Sequence, residues 1–232
     1  MKAEYRLILT FLVCEIAYVA SARTLARSFT GSLLHLELWW TLLRLLSAIA
    51  LTFLFLRLDR VSPAKAGRIP VQCLLATGMF LAPILVGEAG LQGAARYLFA
   101  ATSLVVGLRE ELAYRGILQR FLTPRMGFAG SLCTSNVAFV LYHWGVHPFT
   151  LHYVLQLFLC GMILGVVYHF SRSIVLVVAL HAVYDAIDSF SPFLAPRFPY
   201  FVCTVVLSAT LAALLLALKN PHQAPKAAPN KR

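Results

Sequence analysis

The sequence predicts an all-α fold, a polytopic membrane helical bundle of about eight transmembrane helices. Hydrophobic residues make up 60% of the 232-residue chain, charged residues only 12%, and the mean hydropathy is +0.78. A soluble domain carries roughly 25% charged residues. Several apolar runs approach the roughly 20 residues that cross a bilayer. The composition therefore excludes a soluble enzyme, a disordered chain and a secreted disulfide scaffold.

Charged residues, prolines and glycines separate the apolar runs, and each run is a predicted helix. The second run ends before Arg57, the third follows Arg68, the fifth ends near Gly145, the sixth before Arg172 and the eighth before Lys219. The predicted helices are, in order, Tyr5–Ala20, Leu38–Leu56, Val71–Gly87, Tyr97–Arg120, Ala129–Trp144, Leu151–Phe170, Ser173–Phe190 and Tyr200–Leu218.

The first run imitates a secretory signal peptide, because basic residues precede it and Ala20, Ser21 and Ala22 resemble a cleavage site. Glu15 interrupts this run and further apolar runs follow. We therefore favour an uncleaved first span. No internal repeat is visible, so residues 1–218 are predicted to form one transmembrane bundle with a motif-bearing core at about 97–190. Residues 219–232 are predicted to be a disordered basic cytoplasmic tail.

Lys and Arg are distributed unevenly between the two sides of the predicted bundle. Thirteen lie on the side of the N-terminus and four on the opposite side. The positive-inside rule then places both termini in the cytoplasm. Short loops and a compact length favour a bacterial inner (plasma) membrane. The net charge of +11 would suggest nucleic acid in a soluble chain, but here it reflects topology, and no nucleic-acid partner is predicted.

The fourth predicted helix contains Arg109, Glu110, Glu111 and Arg115. A charge in the hydrocarbon region costs roughly 3 kcal/mol, so each one needs a partner. Glu111 and Arg115 have the i,i+4 spacing of a helical ion pair. Glu110 lies about 100° around the helix from Glu111 and can therefore face a different neighbour. Arg109 is a competing partner for Glu110. The alternative is a cytoplasmic loop, which the apolar residues on both sides disfavour.

Two later helices bring two further motifs, Phe139 with His143 and then His181 with Asp185, which add three ionisable side chains. At about 1.5 Å per residue, Glu110, both histidines and Asp185 lie roughly 12 to 20 Å from the cytoplasmic ends of their helices. Lipid cannot solvate such groups. We therefore expect them to face one another across a water-filled cavity.

The ordered motifs E-E-x-x-x-R, F-x-x-x-H and H-x-x-x-D resemble those of the CPBP family of intramembrane glutamic endopeptidases. This family includes the CAAX prenyl endopeptidases and bacteriocin-processing enzymes. The resemblance covers roughly Tyr97 to Phe190 and implies an endopeptidase that acts near the end of a membrane-associated protein or peptide. The prenyl-endopeptidase branch usually carries Asn where this chain has Asp185. That departure weakens the transfer of CAAX specificity more than that of hydrolysis.

The resemblance also implies roles for the motif residues. Glu110 with His143 would activate a water molecule, while His181 and Asp185 would hold the oxyanion or orient the donor. An ionised Asp185 cannot donate a hydrogen bond, so its expected role is to fix the tautomer and charge of His181. Three further residues would support the site: Glu111, Arg115 and Phe139. No cofactor is predicted. The substrate would be a peptide or protein with a lipidated end, a leader or a C-terminal sorting signal.

Three alternatives remain. Glu110, His143, His181 and Asp185 are possible zinc ligands, and three protein ligands plus water make a catalytic zinc site, although the chain has no H-E-x-x-H helix. A catalytically inactive membrane binding or immunity protein would share the fold. A carrier would also place polar groups at this depth, but many carriers have inverted repeats, which are not visible here.

Overall fold

The computed structural model describes residues 3–61, 78–79, 82, 93–145, 149–190 and 199–219. Within these ranges the regular secondary structure is helical, with no β-strand, which confirms the predicted all-α class. The third predicted helix, Val71–Gly87, lies almost entirely outside the described residues, as does the predicted tail beyond Lys219.

The described helices follow the predicted order. They are α1 (Ala3–Ser28), α2 (Leu33–Val61), α3 (Gly93–Glu111), a π-helix (Leu112–Gln119), α4 (Arg120–Tyr142), α5 (Leu151–Ser171), α6 (Ile174–Phe190) and α7 (Pro199–Lys219). The predicted Leu151–Phe170 and Ser173–Phe190 agree with α5 and α6 to within one residue. The first helix runs past its predicted end at Ala20 because no Pro or Gly interrupts the chain before Gly31.

The start of α4 differs from the prediction for a local reason. The helix begins at Arg120, but Gly127 has φ +71° and ψ −179°, which breaks the helical backbone. Pro124 lies just before this point and cannot donate a backbone hydrogen bond. The predicted start at Ala129 therefore corresponds to the second, regular part of α4.

Three described helices are long and apolar enough to cross a membrane: Ala3–Ser28, Leu33–Arg60 and Leu151–Ser171. A shorter apolar helix covers Phe201–Ala217. The predicted set of eight transmembrane helices is therefore not confirmed. Among the others, α3 ends in Arg109, Glu110 and Glu111, and α6 has only 17 residues.

Buried apolar side chains form two clusters. We call the first the apolar cluster, and it joins α5, α6 and α7 through residues that include Ile163, Val177 and Leu207. The second, the aromatic cluster, joins α1, α2, the π-helix and α4 and includes Tyr18, Tyr114, Phe139 and Tyr142. Helix α3 packs mainly on α6 and α2. Its C-terminal end carries the polar residues described next.

Candidate active site

The helix changes its geometry directly after Glu111. Residues Leu112–Gln119 form a π-helix, and the Arg120 backbone N–H donates to the Arg115 carbonyl, five residues back. Such segments are rare and are frequent at functional sites. All of this segment except Leu118 is buried. The polar residues 109, 110, 111 and 115 are therefore helical and at most 4% exposed, which overturns the alternative of a cytoplasmic loop.

Glu111 connects its own helix to α6. The predicted i,i+4 pair with Arg115 is present, with 3.2 Å between Arg115 Nη1 and Glu111 Oε1. The same oxygen lies 2.7 Å from His181 Nδ1. Because an ionised carboxylate only accepts hydrogen bonds, the Nδ1–H of His181 is the donor. His181 is thereby held with Nε2 on the opposite side of its ring.

Two carboxylates face that second nitrogen. His181 Nε2 lies 3.8 Å from Glu110 Oε2 and 3.6 Å from Asp185 Oδ2, both longer than a direct hydrogen bond. The hydrogen bond of Nδ1 goes to Glu111 and not to Asp185, so the expected role of Asp185 in fixing the tautomer and charge of His181 stays a prediction, now at the Nε2 side of the ring. The i,i+4 spacing on α6 places Asp185 beside Nε2, whereas Glu111 on the neighbouring helix lies opposite Nδ1.

The Phe139 ring contacts both imidazoles. Its ring centre is 4.9 Å from that of His143 and 6.3 Å from that of His181, and the Arg115 Cζ lies 4.6 Å from it. His143 Nδ1 is 2.9 Å from the Phe139 carbonyl oxygen. Since a carbonyl only accepts, Nδ1 carries the proton of the neutral ring and Nε2 is its basic nitrogen.

Close backbone approach at two glycines makes these contacts possible. A Cβ on Gly107 would lie 3.1 Å from the Val178 carbonyl oxygen and 3.4 Å from His181 Cβ. A Cβ on Gly161 would lie only 1.8 Å from Asn136 Oδ1, and the Gly161 carbonyl accepts a 3.0 Å hydrogen bond from Arg115 Nη2. The first glycine lets α3 approach α6, and the second lets α5 approach Arg115.

The sequence suggested that Arg109 could pair with Glu110, but in the structure Arg109 pairs with another residue. Its Nη2 lies 2.5 Å from Glu15 Oε2 on α1, and its Cζ lies 4.0 and 4.4 Å from the ring centres of Tyr18 and Tyr142. Sequence reasoning missed these residues. The signal was available for Glu15, since an acidic residue within an apolar helix needs a partner.

The predicted zinc ligands are only partly brought together. Among the described residues, no three His, Cys, Asp or Glu side chains are arranged to hold a metal ion. Glu110 and Asp185 approach one nitrogen of His181, while the His143 ring contacts Phe139, with 4.9 Å between ring centres. The zinc alternative therefore remains a hypothesis, and it is tested below by chelation.

A group of buried carboxylates and imidazoles inside an apolar helical protein is the kind of site that an intramembrane hydrolase requires. Residues 92–187 match the sequence model of the family described as type II CAAX prenyl endopeptidase Rce1-like, so this segment is similar to the CPBP/CAAX proteases. The resemblance inferred from the motifs is confirmed, although the match covers less than half of the chain.

The family implies a protease, and with it a peptide or protein substrate. Together with the apolar helices, it indicates an integral membrane protein. The matched segment contains all seven motif residues, from Glu110 to Asp185. No curated protein and no solved structure matches the chain.

Proposed function

We propose that the protein is an intramembrane glutamic endopeptidase that hydrolyses a peptide bond near the end of a membrane-associated protein or peptide. Glu110 would activate the attacking water with histidine assistance. The protein would lie in a bacterial plasma membrane, and the distribution of Lys and Arg favours both termini in the cytoplasm.

One observation supports Glu110 as the reactive carboxylate. Among the described residues, the four other glutamates all pair with arginines: Glu4 with Arg125, Glu15 with Arg109, Glu37 with Arg44 and Glu111 with Arg115. Glu110 is 4% exposed and forms no such pair there; its ionic contact is with His181. An arginine stays charged and keeps its partner carboxylate a weak base, whereas an imidazole can release its proton, so the basicity of a carboxylate beside it follows the protonation state of the ring.

The proposed reaction uses this difference between Glu110 and the glutamates that pair with arginines. Glu110, assisted by His143, takes a proton from water as the water oxygen bonds to the substrate carbonyl carbon. The Nε2–H of a protonated His181 then stabilises the oxyanion, with Asp185 maintaining the charge of the ring. When the carbon–nitrogen bond breaks, the proton held by Glu110 passes to the leaving amine. Glu111 holds His181 through Nδ1, and Arg115 balances the charge of Glu111.

The family name suggests a prenylated C-terminus as the substrate. A leader-bearing peptide and a C-terminal sorting signal have the same peptide bond and the same location at the membrane. Two fluorogenic peptides with one CAAX-type sequence, farnesylated and unmodified, separate recognition of the lipid from recognition of the peptide. A comparison of membrane-protein C-termini with and without the enzyme would identify the natural substrate.

The decisive variant is Glu110→Gln, which keeps the shape of the side chain and removes its basicity. We expect kcat to fall by about 10²- to 10⁴-fold, the usual contribution of a general base. The control is Glu4→Gln, at a half-exposed position in the first turn of α1. Full activity of Glu110→Gln would refute the proposal. Loss of wild-type activity on chelation and recovery with zinc would establish the metal mechanism instead, and peptide binding without cleavage would establish a binding protein.

A further inference from the structure

The residue before Glu110 is held by a helix that lies outside the matched segment. Arg109 is fully buried, and its guanidinium lies against the rings of Tyr18 and Tyr142. Its Nη2 donates to Glu15 Oε2 at 2.5 Å. Contacts of a cation with two aromatic faces, together with a charge-assisted hydrogen bond, define both the position and the plane of the guanidinium. α1 thus determines where this part of α3 lies.

Glu15 also contacts a residue that follows Glu110 and Glu111 in the chain. Its second oxygen, Oε1, accepts a 2.6 Å hydrogen bond from the Tyr114 hydroxyl. Arg109 belongs to α3 and Tyr114 to the π-helix, so one carboxylate connects the two helical geometries across Glu110 and Glu111. A single side chain therefore holds the junction at which the proposed base is located.

The same cluster extends to the second imidazole. The Tyr142 ring centre lies 4.6 Å from that of His143, and the Tyr142 hydroxyl lies 3.3 Å from the hydroxyl of Tyr18. Arg109 packs against both of these tyrosines. A displacement of Arg109 would therefore be transmitted to His143 as well as to Glu110.

The geometry of a helix shows how sensitive the site would be to a rotation of α3 about its axis. A side-chain end lies about 5 to 6 Å from the helix axis, so a rotation of about 10° moves it by roughly 1 Å. A misplacement of that size can cost about 10²-fold in rate. The hydrogen bond from His181 to Glu111 restrains the rotation of α3 on one side, and the pair of Glu15 and Arg109 restrains it on the other.

We propose that Glu15 is a positioning residue for this site, which presents Glu110 to His181 by clamping Arg109 and Tyr114. The inference rests on the proposed function and extends the site to α1. Glu15 acts through its neighbours and is not assigned a contact with the reacting atoms.

The test compares Glu15→Gln, the double variant Glu15→Gln/Arg109→Gln and the control Glu4→Gln. The control also removes an ion pair between α1 and α4, that of Glu4 with Arg125, but away from this cluster. With the farnesylated peptide, we expect Glu15→Gln to lower kcat 10- to 100-fold with an unchanged KM. It should also lower Tm, because Arg109 is left without its carboxylate. The double variant removes the unpaired charge, so Tm should recover while kcat stays low.

A second measurement does not depend on substrate. In protein labelled with ¹⁵N-histidine, the ring signals of His143 and His181 are assigned by replacing each residue in turn. Both signals should shift in the double variant and remain unchanged in Glu4→Gln. Wild-type kcat in Glu15→Gln, recovery of kcat together with Tm in the double variant, or unshifted histidine signals would each overturn the inference. If the wild-type protein cleaves neither peptide, the proposed function fails and the histidine signals alone decide the role of Glu15.

Discussion

The contact between α3 and α6 and the contact between α5 and α7 are both buried, but different forces hold them. At the first, Glu111 receives a hydrogen bond from His181 and an ion pair from Arg115. At the second, side chains of the apolar cluster such as Ile163 and Leu207 pack without polar partners. Ion pairs and hydrogen bonds depend on direction, whereas apolar contacts depend mainly on shape and volume.

This difference matters most in an apolar environment. Lipid contacts an apolar side chain as well as a neighbouring helix does, so packing alone stabilises a pair such as α5 and α7. A charge without its partner has no comparable alternative. Substitutions at the α3–α6 contact should therefore affect both stability and catalysis, and substitutions at the α5–α7 contact should affect stability alone.

The largest effect is expected from Glu111→Gln. This change leaves Arg115, which is 1% exposed, without its carboxylate, and breaking a buried pair costs about 3 to 5 kcal/mol. It also weakens the hydrogen bond that orients His181, so kcat should fall together with the free energy of unfolding. Chemical denaturation in detergent and peptide cleavage measure the two effects.

The matched control is Asp59→Asn. Asp59 also pairs with an arginine, Arg120, but its side chain is 48% exposed. Arg120 is itself buried, but water reaches its partner, so we expect a cost between that of an exposed pair, about 0 to 1 kcal/mol, and the cost of losing the fully buried Glu111 pair. Equal destabilisation by the two substitutions would contradict the view that burial makes the Glu111 pair strong.

Sequence reasoning predicts the parts of this site that depend on local spacing. The i,i+4 rule identified the pair of Glu111 with Arg115, and apolar runs located α5 and α6 to within one residue. The partner of Arg109 could not be found in this way, because Glu15 lies 94 residues earlier in the chain. No local pattern encodes which helices meet.

Two further features were also beyond the sequence. No residue pattern distinguishes the π-helix after Glu111 from an α-helix, and the same residues would fit an ordinary helix. The choice of Glu111 over Asp185 as the partner of His181 Nδ1 depends on the distance between α3 and α6, which Gly107 permits. The roles of the motif residues in catalysis remain a prediction.

An intermediate effect is expected from Gly161→Ala. The new Cβ would lie 1.8 Å from Asn136 Oδ1 and 3.0 Å from Arg115 Nη2, so both side chains must move. Overpacking of this kind costs about 1 to 3 kcal/mol. Because Arg115 donates to the Gly161 carbonyl and pairs with Glu111, kcat should fall as well. Thermal unfolding and peptide cleavage provide the two measurements.

Gly130→Ala on α4 is the control for adding a methyl group. The nearest atom to its Cβ would be the Met126 Cβ, at 3.2 Å, a mild contact compared with 1.8 Å at Gly161, so we expect a smaller change in Tm and no change in kcat. Adding Asn136→Ala to Gly161→Ala removes the clashing oxygen and should recover part of both losses. Failure of this rescue would show that the methyl group acts elsewhere than at Arg115 and Asn136.

The smallest effect is expected from Ile163→Val in the apolar cluster. Ile163 is fully buried on α5, and the substitution removes one methyl group at a cost of about 0.5 to 1.5 kcal/mol. No polar partner is lost, so kcat and KM should equal those of the wild type while Tm decreases slightly. A fall in kcat comparable to that of Gly161→Ala would contradict the proposed separation, since it would mean that the apolar contact also positions the carboxylates and imidazoles.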